Sequence, residues 1–319
     1  MSWPADSVRV RVPATSANLG PGFDALGLAL TLHDEVEARI LPGGLSIEIS
    51  GEGADLSAAG EEHLVVRAMR VAFAVTGGQP PGLGLRCVNR IPHGRGLGSS
   101  AAAVVAGLLA ARALSGSAAG KLPDDSLLPL ASDIEGHPDN VAACLAGGLT
   151  IAWTAPGGPR MVRLEPLSSV APVVCIAPGP VRTDVARGLL PEVVSHRDAA
   201  ANAGRSALLV AALTQPGLDP DVLLAGTADW LHQDYRASAM TPTHALVRGL
   251  RAAGLPAVVS GAGPSVLALL TARGGPDYRH DLDRLGSIVR ETGIAWHISS
   301  LEVERQGARV LRPEPPPGC

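Results

Sequence analysis

The sequence predicts an α+β protein with two domains, and three observations support this fold class. The chain has 319 residues, which is long enough for a large core and more than one domain typically needs. Its predicted strands and helices mix without the strict βα alternation of a doubly wound sheet. The segment Ala155-Pro-Gly-Gly-Pro159 is the best candidate for a linker. We therefore expect an N-terminal domain at residues 1–158 and a C-terminal domain at residues 159–319.

Composition excludes several classes of function. The chain has 26 Lys and Arg against 30 Asp and Glu, and no basic run long enough to bind nucleic acid. Aromatic residues make up only 3%, which argues against stacking platforms for bases. No stretch approaches the roughly 20 apolar residues of a membrane span, and the first six residues lack the features of a signal peptide. We expect a cytoplasmic protein without a nucleic-acid or membrane partner.

Four cysteines are widely spaced along the chain, at positions 87, 144, 175 and 319. None forms a Cys-x-x-Cys pair, so neither a zinc cluster nor a disulfide framework is expected. The prediction is reduced and mostly buried thiols.

In the N-terminal half, Val8–Val12 alternates apolar and basic residues, which predicts a half-exposed strand that ends at Pro13. Hydrophobic periodicity and turn residues predict the elements that follow. The predicted strands are residues 25–32, 34–40, 45–49, 84–89 and 149–153, and the predicted helices are residues 63–75, 99–114 and 124–134. The helix from Ser99 is nearly all Ala, Val and Leu, so we expect it to be buried on most sides.

In the C-terminal half the same signals predict further strands and helices. The strands are residues 170–176, 257–260, 266–270 and 295–303. The helices are residues 184–190, 192–214, 221–240, 242–253 and 278–292. Each half therefore reads as an α+β sandwich.

A glycine-rich stretch, Ile91–Gly107, is the most informative part of the sequence. Gly94, Gly96 and Gly98 alternate and lead into Ser99, Ser100 and an apolar helix. Glycines allow positive φ and close approach of a ligand, and the free N–H groups of a helix N-terminus attract anions. Either serine is a candidate helix cap. We interpret the stretch as a polyphosphate site, although a serine-capped helix after a flexible turn is the plainer alternative.

Two common glycine motifs do not fit this stretch. A P-loop requires a Lys before the hydroxyl residue, and none precedes these serines. A dinucleotide motif that starts at Gly94 reaches Ser99 at its sixth position, and one that starts at Gly96 reaches Ala101. No acidic residue follows about 20 positions later in a βαβ context. A nicotinamide cofactor is therefore not indicated.

Three other polar segments end strands or helices, at residues 14–24, 135–140 and 260–265. Glu135 and a loop serine have the oxygen ligands that Mg²⁺ favours, although Glu135 could instead be a solvated helix-end carboxylate. His137 has no second ligand at zinc spacing. The glycines of 260–265 suit close approach to the phosphate loop, but a simple hairpin is the alternative. Arg187 and Arg236 could bind a carboxylate, or form surface ion pairs.

Together, Pro13–Asp24, Pro92–Ser100, Glu135–Asn140 and Ser260–Ser265 resemble, in order and spacing, the motifs of the GHMP small-molecule kinases. The first and third are most similar to the members that phosphorylate homoserine. The resemblance implies transfer of the γ-phosphoryl group of ATP to the side-chain hydroxyl of L-homoserine, in threonine biosynthesis. It also implies an N-terminal domain like ribosomal protein S5 domain 2 and a C-terminal ferredoxin-like α/β plait. A homodimer is compatible with it.

The resemblance also assigns site residues by motif. For the ATP phosphates it implies Pro92, His93, Gly94, Arg95, Gly96, Leu97, Gly98, Ser99, Ser100, Ala101 and Ala102, with Gly261 and Gly263. For Mg²⁺ it implies Ser100 and Glu135, the choice of Ser100 over Ser99 being a prediction. For homoserine it implies Asn18, Asp24, His137, Asp139, Arg187 and Arg236. The two arginines would bind the carboxylate, and an acid such as Asp24 would bind the ammonium. Catalytic roles fall to Asn140, Thr183 and Arg187.

One departure from the family pattern shapes the expected mechanism. Several family members have an Asp base at the end of the third segment and a Lys near the first. Here the matching position is Asn140, and no Lys lies between residues 1 and 120. We expect direct attack by the substrate hydroxyl, since phosphoryl transfer depends mainly on positioning and charge neutralisation. The alternatives are a GHMP kinase for another small alcohol, or a catalytically silent nucleotide-dependent sensor.

Overall fold

The computed structural model describes residue 3 and residues 7–181, 183–218, 220–271 and 275–311. Within these residues the strands are β1 Ser7–Ala17, β2 Leu26–Leu41, β3 Gly44–Gly51, β4 Gly82–Asn89, β5 Leu149–Ala155, β6 Gly158–Leu164, β7 Ala171–Ile176, β8 Ala257–Val259, β9 Val266–Leu270, β10 His297–Ser300 and β11 Arg309–Leu311.

The helices in the same part of the chain are α1 Leu64–Thr76, α2 Ser99–Leu114, α3 Asp124–Glu135, α4 Pro138–Ala146, α5 Thr183–Gly188, α6 His196–Thr214, α7 Pro220–Gly226, α8 Thr241–Ala252 and α9 Pro276–Glu291. Short 3₁₀ turns cover Ala54–Glu62, Gly116–Lys121 and Ala237–Ala239. None of the described helices is long and apolar enough to cross a membrane.

The first sheet carries the glycine loop. Its strand order is β11-β1-β2-β4-β3, with β5 paired to β2 and β6 paired to β5. All of these pairs are antiparallel except β3 with β4. Helix α2 packs on α1 and on β1, and its apolar residues are buried on nearly every side, as predicted. This burial fixes the start of α2, and so the end of the glycine loop, against the core.

The second sheet has four antiparallel strands in the order β10-β7-β9-β8. Along the chain, its strands and the helices between them follow a β-α-β-β-α-β order, the arrangement of a split βαβ plait. The tight turn between β8 and β9 carries residues 260–265 towards the first sheet, where Gly261 donates its N–H to the carbonyl of Ala17. The mixed α+β class is thus confirmed, with two sheets that meet near this turn.

Several predicted elements need correction. Strand β1 does not end at Pro13 but continues to Ala17, because the proline lies at a register shift against β2. The predicted helix over 221–240 ends at Gly226, after which Asp229 accepts three backbone N–H groups in place of helical carbonyls. Strands β6 and β11 were not predicted, since β6 alternates too few apolar residues and β11 is only three residues long.

The first sheet does not end at the expected division between domains. Residues 155–158 close the hairpin between β5 and β6, so the first sheet continues to Leu164 beyond the proposed division at residue 158. Proline and glycine are equally typical of a hairpin turn and of a linker, which is why composition could not separate them. The chain then returns to this sheet at its end, where β11 pairs with β1 and Val303 bridges to Leu30. A division by sheets therefore falls after Leu164 and assigns β11 to the first sheet.

Candidate active site

The glycine loop has the positive φ angles that its alternating glycines suggested. Gly94, Gly96 and Gly98 have φ values of 65°, 72° and 70°, in the left-handed region that favours glycine. Gly98 is the residue that precedes α2, and no side chain caps the helix. Ser99 and Ser100 are instead the first two helical residues, so the prediction that one of them is the cap was wrong. Their backbone N–H groups lie in the first turn, where an α-helix leaves donors unpaired.

The loop is held by direct contact with the β8–β9 turn. A Cβ atom added at Gly96 would lie 2.1 Å from the carbonyl oxygen of Ser260, so only glycine fits there. The Ser260 hydroxyl lies 2.7 Å from the Gly96 carbonyl and 2.8 Å from the Ser16 hydroxyl. Because a carbonyl can only accept, Ser260 donates to Gly96 and accepts from Ser16. The close approach predicted for residues 260–265 is therefore present in the structure.

Ser100 and Glu135 come together across two helices. The Ser100 hydroxyl, at the start of α2, donates a 2.6 Å hydrogen bond to Glu135 Oε2 at the end of α3. Burial raises the pKa of Glu135, and the Ser100 hydrogen bond opposes this rise. Ser99 makes no hydrogen bond to Glu135 among the described contacts. A hydroxyl and a carboxylate in contact are a suitable oxygen pair for a hard divalent cation.

A small cavity of about 140 Å³ joins three of the four polar segments. Its lining comprises Gly94, Gly96, Leu97, Gly98, Ser99 and Ser100 from the loop, Glu135, His137 and Asn140 from residues 135–140, and Gly261, Ala262 and Gly263 from the turn. Free helix N–H groups, glycine backbone and the Ser100–Glu135 pair thus face one space. These groups fit a phosphate chain with a divalent cation, because backbone donors bind the anion and the two side-chain oxygens bind the metal.

Asn140 lies next to the glycine loop, and two buried residues, Thr15 and Asp139, fix its position. The Thr15 hydroxyl donates a 2.7 Å hydrogen bond to Asn140 Oδ1, and Thr15 is fully buried. A Cβ atom at Gly98 would lie 1.9 Å from the same hydroxyl. Asp139, which is also buried, accepts the backbone N–H of Asn140 at 2.7 Å. Burial raises the pKa of Asp139, helped by Asp24 and opposed by that N–H and by Arg187.

A charged cluster lies beside this cavity. Arg187, on α5, forms a two-pronged ion pair with Asp24, with N–O distances of 2.7 and 3.1 Å. Arg236 is buried and donates from Nε to the Ala186 carbonyl. The Phe23 ring lies near both guanidinium groups, with its centroid 5.6 Å from the Cζ of Arg187 and 5.2 Å from that of Arg236. The pairing of Asp24 with Arg187 was not predicted, since each was assigned to a different group of the substrate.

The structure brings many of the predicted site residues together, but not all of them. Residues 94 and 96–100 of the loop, with Glu135, His137, Asn140 and residues 261–263, line the cavity, and His93 and Ala102 line a separate apolar cavity. Asp24, Arg187 and Arg236 form the charged cluster next to Asp139. Asn18 differs, because its amide donates to Gly261 O and accepts from the N–H of Asp24, which makes it a brace between loops. The Arg95 guanidinium turns away to the Pro178 carbonyl. The side chain of Thr183, like Cys319, lies outside the described residues.

Four residues that shape the site were not assigned from sequence. Thr15 and Ser16 lie in a segment that the sequence predicts to be a turn, but in the structure they belong to the end of β1. Their hydroxyls hydrogen-bond to Asn140 and Ser260. No local sequence pattern assigns Phe23 or His232 to the site. Their stacking, with ring centroids 5.1 Å apart, joins segments 209 positions apart that no local pattern connects.

A second cavity, of about 330 Å³, opens on the other side of Ser99 and Ser100. Most of its lining is apolar and comes from the sheet, α1, α2 and the 3₁₀ turn, including Val36, Leu56, Leu64, Ala103 and Ala106. His63 also lines it, and its buried Nδ1 has no hydrogen-bond partner among the described residues. The sequence did not indicate this cavity, because its residues come from five separate segments.

Comparison with known proteins gives a consistent result. A family model described as the GHMP kinases N terminal domain matches residues 63–148. The homoserine kinase of Streptomyces coelicolor is 54% identical over 307 residues, which cover 96% of this chain and 95% of that protein. The homoserine kinase of Leifsonia xyli is 48% identical, with 96% and 92% covered.

Solved structures agree with this comparison. The crystal structure of homoserine kinase from Cytophaga hutchinsonii superposes with a TM-score of 0.83 at 28% identity, and covers 98% of this chain and 99% of its own. L. major mevalonate kinase, in complex with R-mevalonate, has a TM-score of 0.68 at 16% identity, with 96% and 99% covered. The second likeness shows the shared fold alone.

Proposed function

This chain belongs to the homoserine kinases of the GHMP kinase family, and we propose that it moves the γ-phosphoryl group of ATP to L-homoserine by direct attack of the substrate hydroxyl. As a homoserine kinase it is a transferase, and its product serves threonine biosynthesis.

The observation that carries the proposal is the cavity that joins the glycine loop, Glu135 and Asn140, with the charged cluster beside it. Phosphoryl transfer needs an anion cradle next to a site that orients the nucleophile. Backbone donors of the loop supply the cradle, and the arginines with Asp24 supply charges of both signs for a zwitterion. The two halves share Asp139 and Asn140, which are adjacent in sequence.

ATP extends, in this proposal, through both cavities. The phosphates lie in the glycine loop, and the base and ribose fill the largely apolar cavity of about 330 Å³ on the far side of Ser99. Ser100 and Glu135 would hold Mg²⁺ together with phosphate oxygens. The cation would neutralise part of the charge on the phosphates during transfer. Among the described residues no group of three or more His, Cys, Asp or Glu forms a metal cluster, so phosphate and water must complete the shell.

L-Homoserine binds, we propose, at the charged cluster. Its carboxylate pairs with Arg187 and Arg236, because guanidinium groups bind carboxylates through two parallel hydrogen bonds. Its ammonium pairs with Asp24. A zwitterion carries both charges, so it can replace the contact between Arg187 and Asp24 with one contact to each. This exchange favours an α-amino acid over an alcohol that has only one of the two groups.

The chemical step follows from this placement. The side-chain hydroxyl oxygen of homoserine forms a bond to the γ-phosphorus, while the bond from that phosphorus to the β,γ-bridging oxygen breaks. ADP leaves with the bonding electrons, and the hydroxyl proton passes to an oxygen of the transferred group. Asn140 orients the hydroxyl through its Nδ2 end, since its Oδ1 end already accepts the Thr15 hydrogen bond. Arg187 and Thr183 complete the predicted catalytic set.

No general base is needed in this scheme. Asn140 cannot accept a proton at ordinary pH, Asp24 pairs with the ammonium of bound homoserine in this proposal, and Asp139 is buried with its Oδ1 bonded to a backbone N–H. The loose transition state of phosphoryl transfer makes early removal of the proton unnecessary. Positioning and charge neutralisation therefore carry the rate enhancement.

The test is ADP release over a panel of small alcohols and amino acids, repeated against pH. We expect turnover with L-homoserine, much weaker turnover with alcohols that lack the carboxylate or the ammonium, and no catalytic pKa that disappears in Asp139→Asn. Turnover with another alcohol but not with homoserine would redirect the substrate assignment. ATP binding without turnover of any alcohol would favour the sensor alternative. Loss of a pKa from the rate profile in Asp139→Asn or Asp24→Asn, with homoserine binding intact, would contradict direct attack.

A further inference from the structure

Phe23 lies at the centre of the charged cluster, yet neither the phosphate site nor the ion pairs account for it. Its ring is half-buried and stacks on the buried imidazole of His232, with an interplanar angle of 27°. The Cζ atoms of Arg187 and Arg236 both lie within 6 Å of its centroid. Guanidinium groups within that distance are attracted by the negative face of an aromatic ring. One ring therefore contacts both cations that are proposed to bind the substrate carboxylate.

The ring adds an attraction that the direct ion pairs do not supply to both arginines. Arg236 is only 2% exposed, so burial lowers its pKa and Arg187 lowers it further by repulsion, while Asp24, Asp229 and Asp139 attract it and partly oppose this change. Arg187 has a buried Nε atom without a hydrogen-bond partner among the described residues. Among those residues Asp24 forms a direct ion pair with Arg187 and not with Arg236. The ring contacts both guanidinium groups and so offsets part of their mutual repulsion.

His232 fixes the ring in place. Arg236 can only donate, so Nδ1 of His232 accepts its hydrogen bond at 3.3 Å and Nε2 carries the proton. That N–H donates at 2.8 Å to the carbonyl of Gly20, three residues before Phe23. Burial lowers the pKa of His232, which keeps the imidazole neutral beside the two cations. Histidine, phenyl ring and guanidinium thus form one assembly that ties the loop after β1 to residues 232–236.

We propose that Phe23 is a positioning residue whose ring face holds Arg187 and Arg236 together as a receptor for the substrate carboxylate. The inference rests on the proposed function, since it assumes that these arginines bind that group. It predicts that electron density in the phenyl ring, and not only its volume, sets the affinity for the amino acid. ATP binding should be independent of the ring, because no described contact links Phe23 to the glycine loop.

Fluorinated phenylalanine separates these two properties. Each fluorine weakens the negative ring face and changes its size little. The chain has only two phenylalanines, Phe23 and Phe73, so growth on 4-fluoro-, 3,5-difluoro- or 3,4,5-trifluorophenylalanine labels just these positions. Phe73 lies in the core against Trp3, with ring centroids 5.3 Å apart. The same labelling of Phe23→Leu changes Phe73 alone and is the matched control.

We expect the KM for homoserine to rise stepwise with fluorine number, about five- to tenfold for the trifluoro ring, which is the size of a partly desolvated cation–π contact. The KM for ATP should stay within twofold. Phe23→Leu should raise the homoserine KM at least as much. Phe23→Tyr keeps an aromatic ring, so its homoserine KM should stay within about threefold of the parent. In the labelled Phe23→Leu control the homoserine KM should not follow fluorine number.

A homoserine KM that is flat across the series, in samples with unchanged urea unfolding, would overturn the proposal and leave the ring as space filling. An equal rise in the KM for ATP would also overturn it, since the effect would then be general damage to the site. If labelling prevents folding, the comparison of Phe23→Leu with Phe23→Tyr decides alone. Failure of the proposed function is seen separately, because the unlabelled parent would then not phosphorylate homoserine.

Discussion

The side-chain amide of Asn18 braces its own loop and joins it to the β8–β9 turn, through one hydrogen bond each. Asn18, Leu19 and Asp24 have φ values of 66°, 51° and 54°, a conformation that costs a non-glycine residue about 1–2 kcal/mol. Asn18 offsets part of this cost by accepting the N–H of Asp24 and donating to Gly261 O. The strained loop thereby presents Phe23 and Asp24 to the arginines. The sequence predicted that these polar residues cluster. It did not predict that both ends of the Asn18 amide hydrogen-bond to backbone groups.

The choice between the two loop serines gives a prediction at the residue scale. Of the two serines, Ser100 is the one that hydrogen-bonds to Glu135 among the described contacts, at 2.6 Å. We expect Ser100→Ala to lower kcat about 100-fold and to raise the Mg²⁺ concentration for half-maximal rate about tenfold, because one of two protein oxygens is lost. The measurement is the steady-state rate against Mg²⁺ at saturating ATP and homoserine.

Ser99→Ala is the matched comparison, because the two serines are neighbours in the first turn of α2. It should shift the Mg²⁺ requirement less than threefold, although it can alter the KM for ATP through the shape of the loop. A larger shift in Ser99→Ala than in Ser100→Ala would reverse the assignment of the metal ligand.

At the scale of elements, helices were predicted better than loops for a physical reason. The apolar periodicity of α1 and α9 comes from packing one face of each helix against a core, and the almost wholly apolar α2 is buried on most sides, so their residues report their own structure. The segment after α7 looked helical but is held by the Asp229 carboxylate and by Gln233, whose side-chain oxygen accepts the N–H of Val259. The bond between Gln233 and Val259 joins positions 26 residues apart, and a local pattern carries no record of it.

The glycine loop as an element gives the second prediction. Gly96 has a φ of 72°, and a Cβ atom there would strike the carbonyl of Ser260, which cannot move without the β8–β9 turn. We expect Gly96→Ala to raise the KM for ATP at least tenfold and to lower the free energy of unfolding by about 2 kcal/mol or more. Urea unfolding and steady-state kinetics measure the two effects.

Gly254→Ala separates backbone strain from the loop contact. Gly254 has a φ of 79°, close to that of Gly96, but an added Cβ would meet no atom within 4 Å. This variant should lose only about 1 kcal/mol of stability and keep the KM for ATP within twofold. Equal effects of the two substitutions on the KM for ATP would show that the Gly96 contact with Ser260 does not shape the nucleotide site.

At the scale of the whole molecule, the site depends on how the two sheets meet. The β8–β9 turn of the second sheet reaches the loop of the first, and α5 brings Arg187 to Asp24. Motif order predicted that these segments share a site, because polar residues at element ends tend to converge. It did not predict the path of the chain between them. In particular, the return of residues 301–311 to the first sheet had no signal in the sequence, since that segment has little regular structure.

That return is fixed by a buried polar cluster of Arg11, His33 and Glu304. The Glu304 backbone N–H donates to the Ala29 carbonyl, and its carboxylate accepts a 2.7 Å hydrogen bond from Nε2 of His33. Arg11 donates to Nδ1 of His33 at 3.1 Å, so the neutral imidazole with its proton on Nε2 satisfies both neighbours. A second proton would have to bind Nδ1, where the positive charge of Arg11 would repel it.

The cluster predicts how stability changes with pH. Burial lowers the pKa of His33, and the hydrogen bond to Glu304 only partly opposes this. The folded state therefore binds fewer protons than the unfolded state just below pH 6.5, and stability falls as pH decreases through that region. One proton contributes at most about 1.4 kcal/mol per pH unit, so we expect a loss of about 0.5–1 kcal/mol from His33 between pH 6.5 and 5.5.

Replacing His33 isolates its contribution to the pH dependence of stability. In His33→Gln the unfolding free energy, from urea titrations at pH 7.5, 6.5 and 5.5, should be lower at every pH but should fall less between 6.5 and 5.5 than in the parent. Other groups, including buried His63 and His232, titrate in both proteins and cancel in the difference. His280→Gln, on the exposed face of α9, should keep the slope of the parent. An unchanged slope in His33→Gln would mean that the imidazole takes up its proton without cost, and that the cluster holds the end of the chain equally well in either charge state.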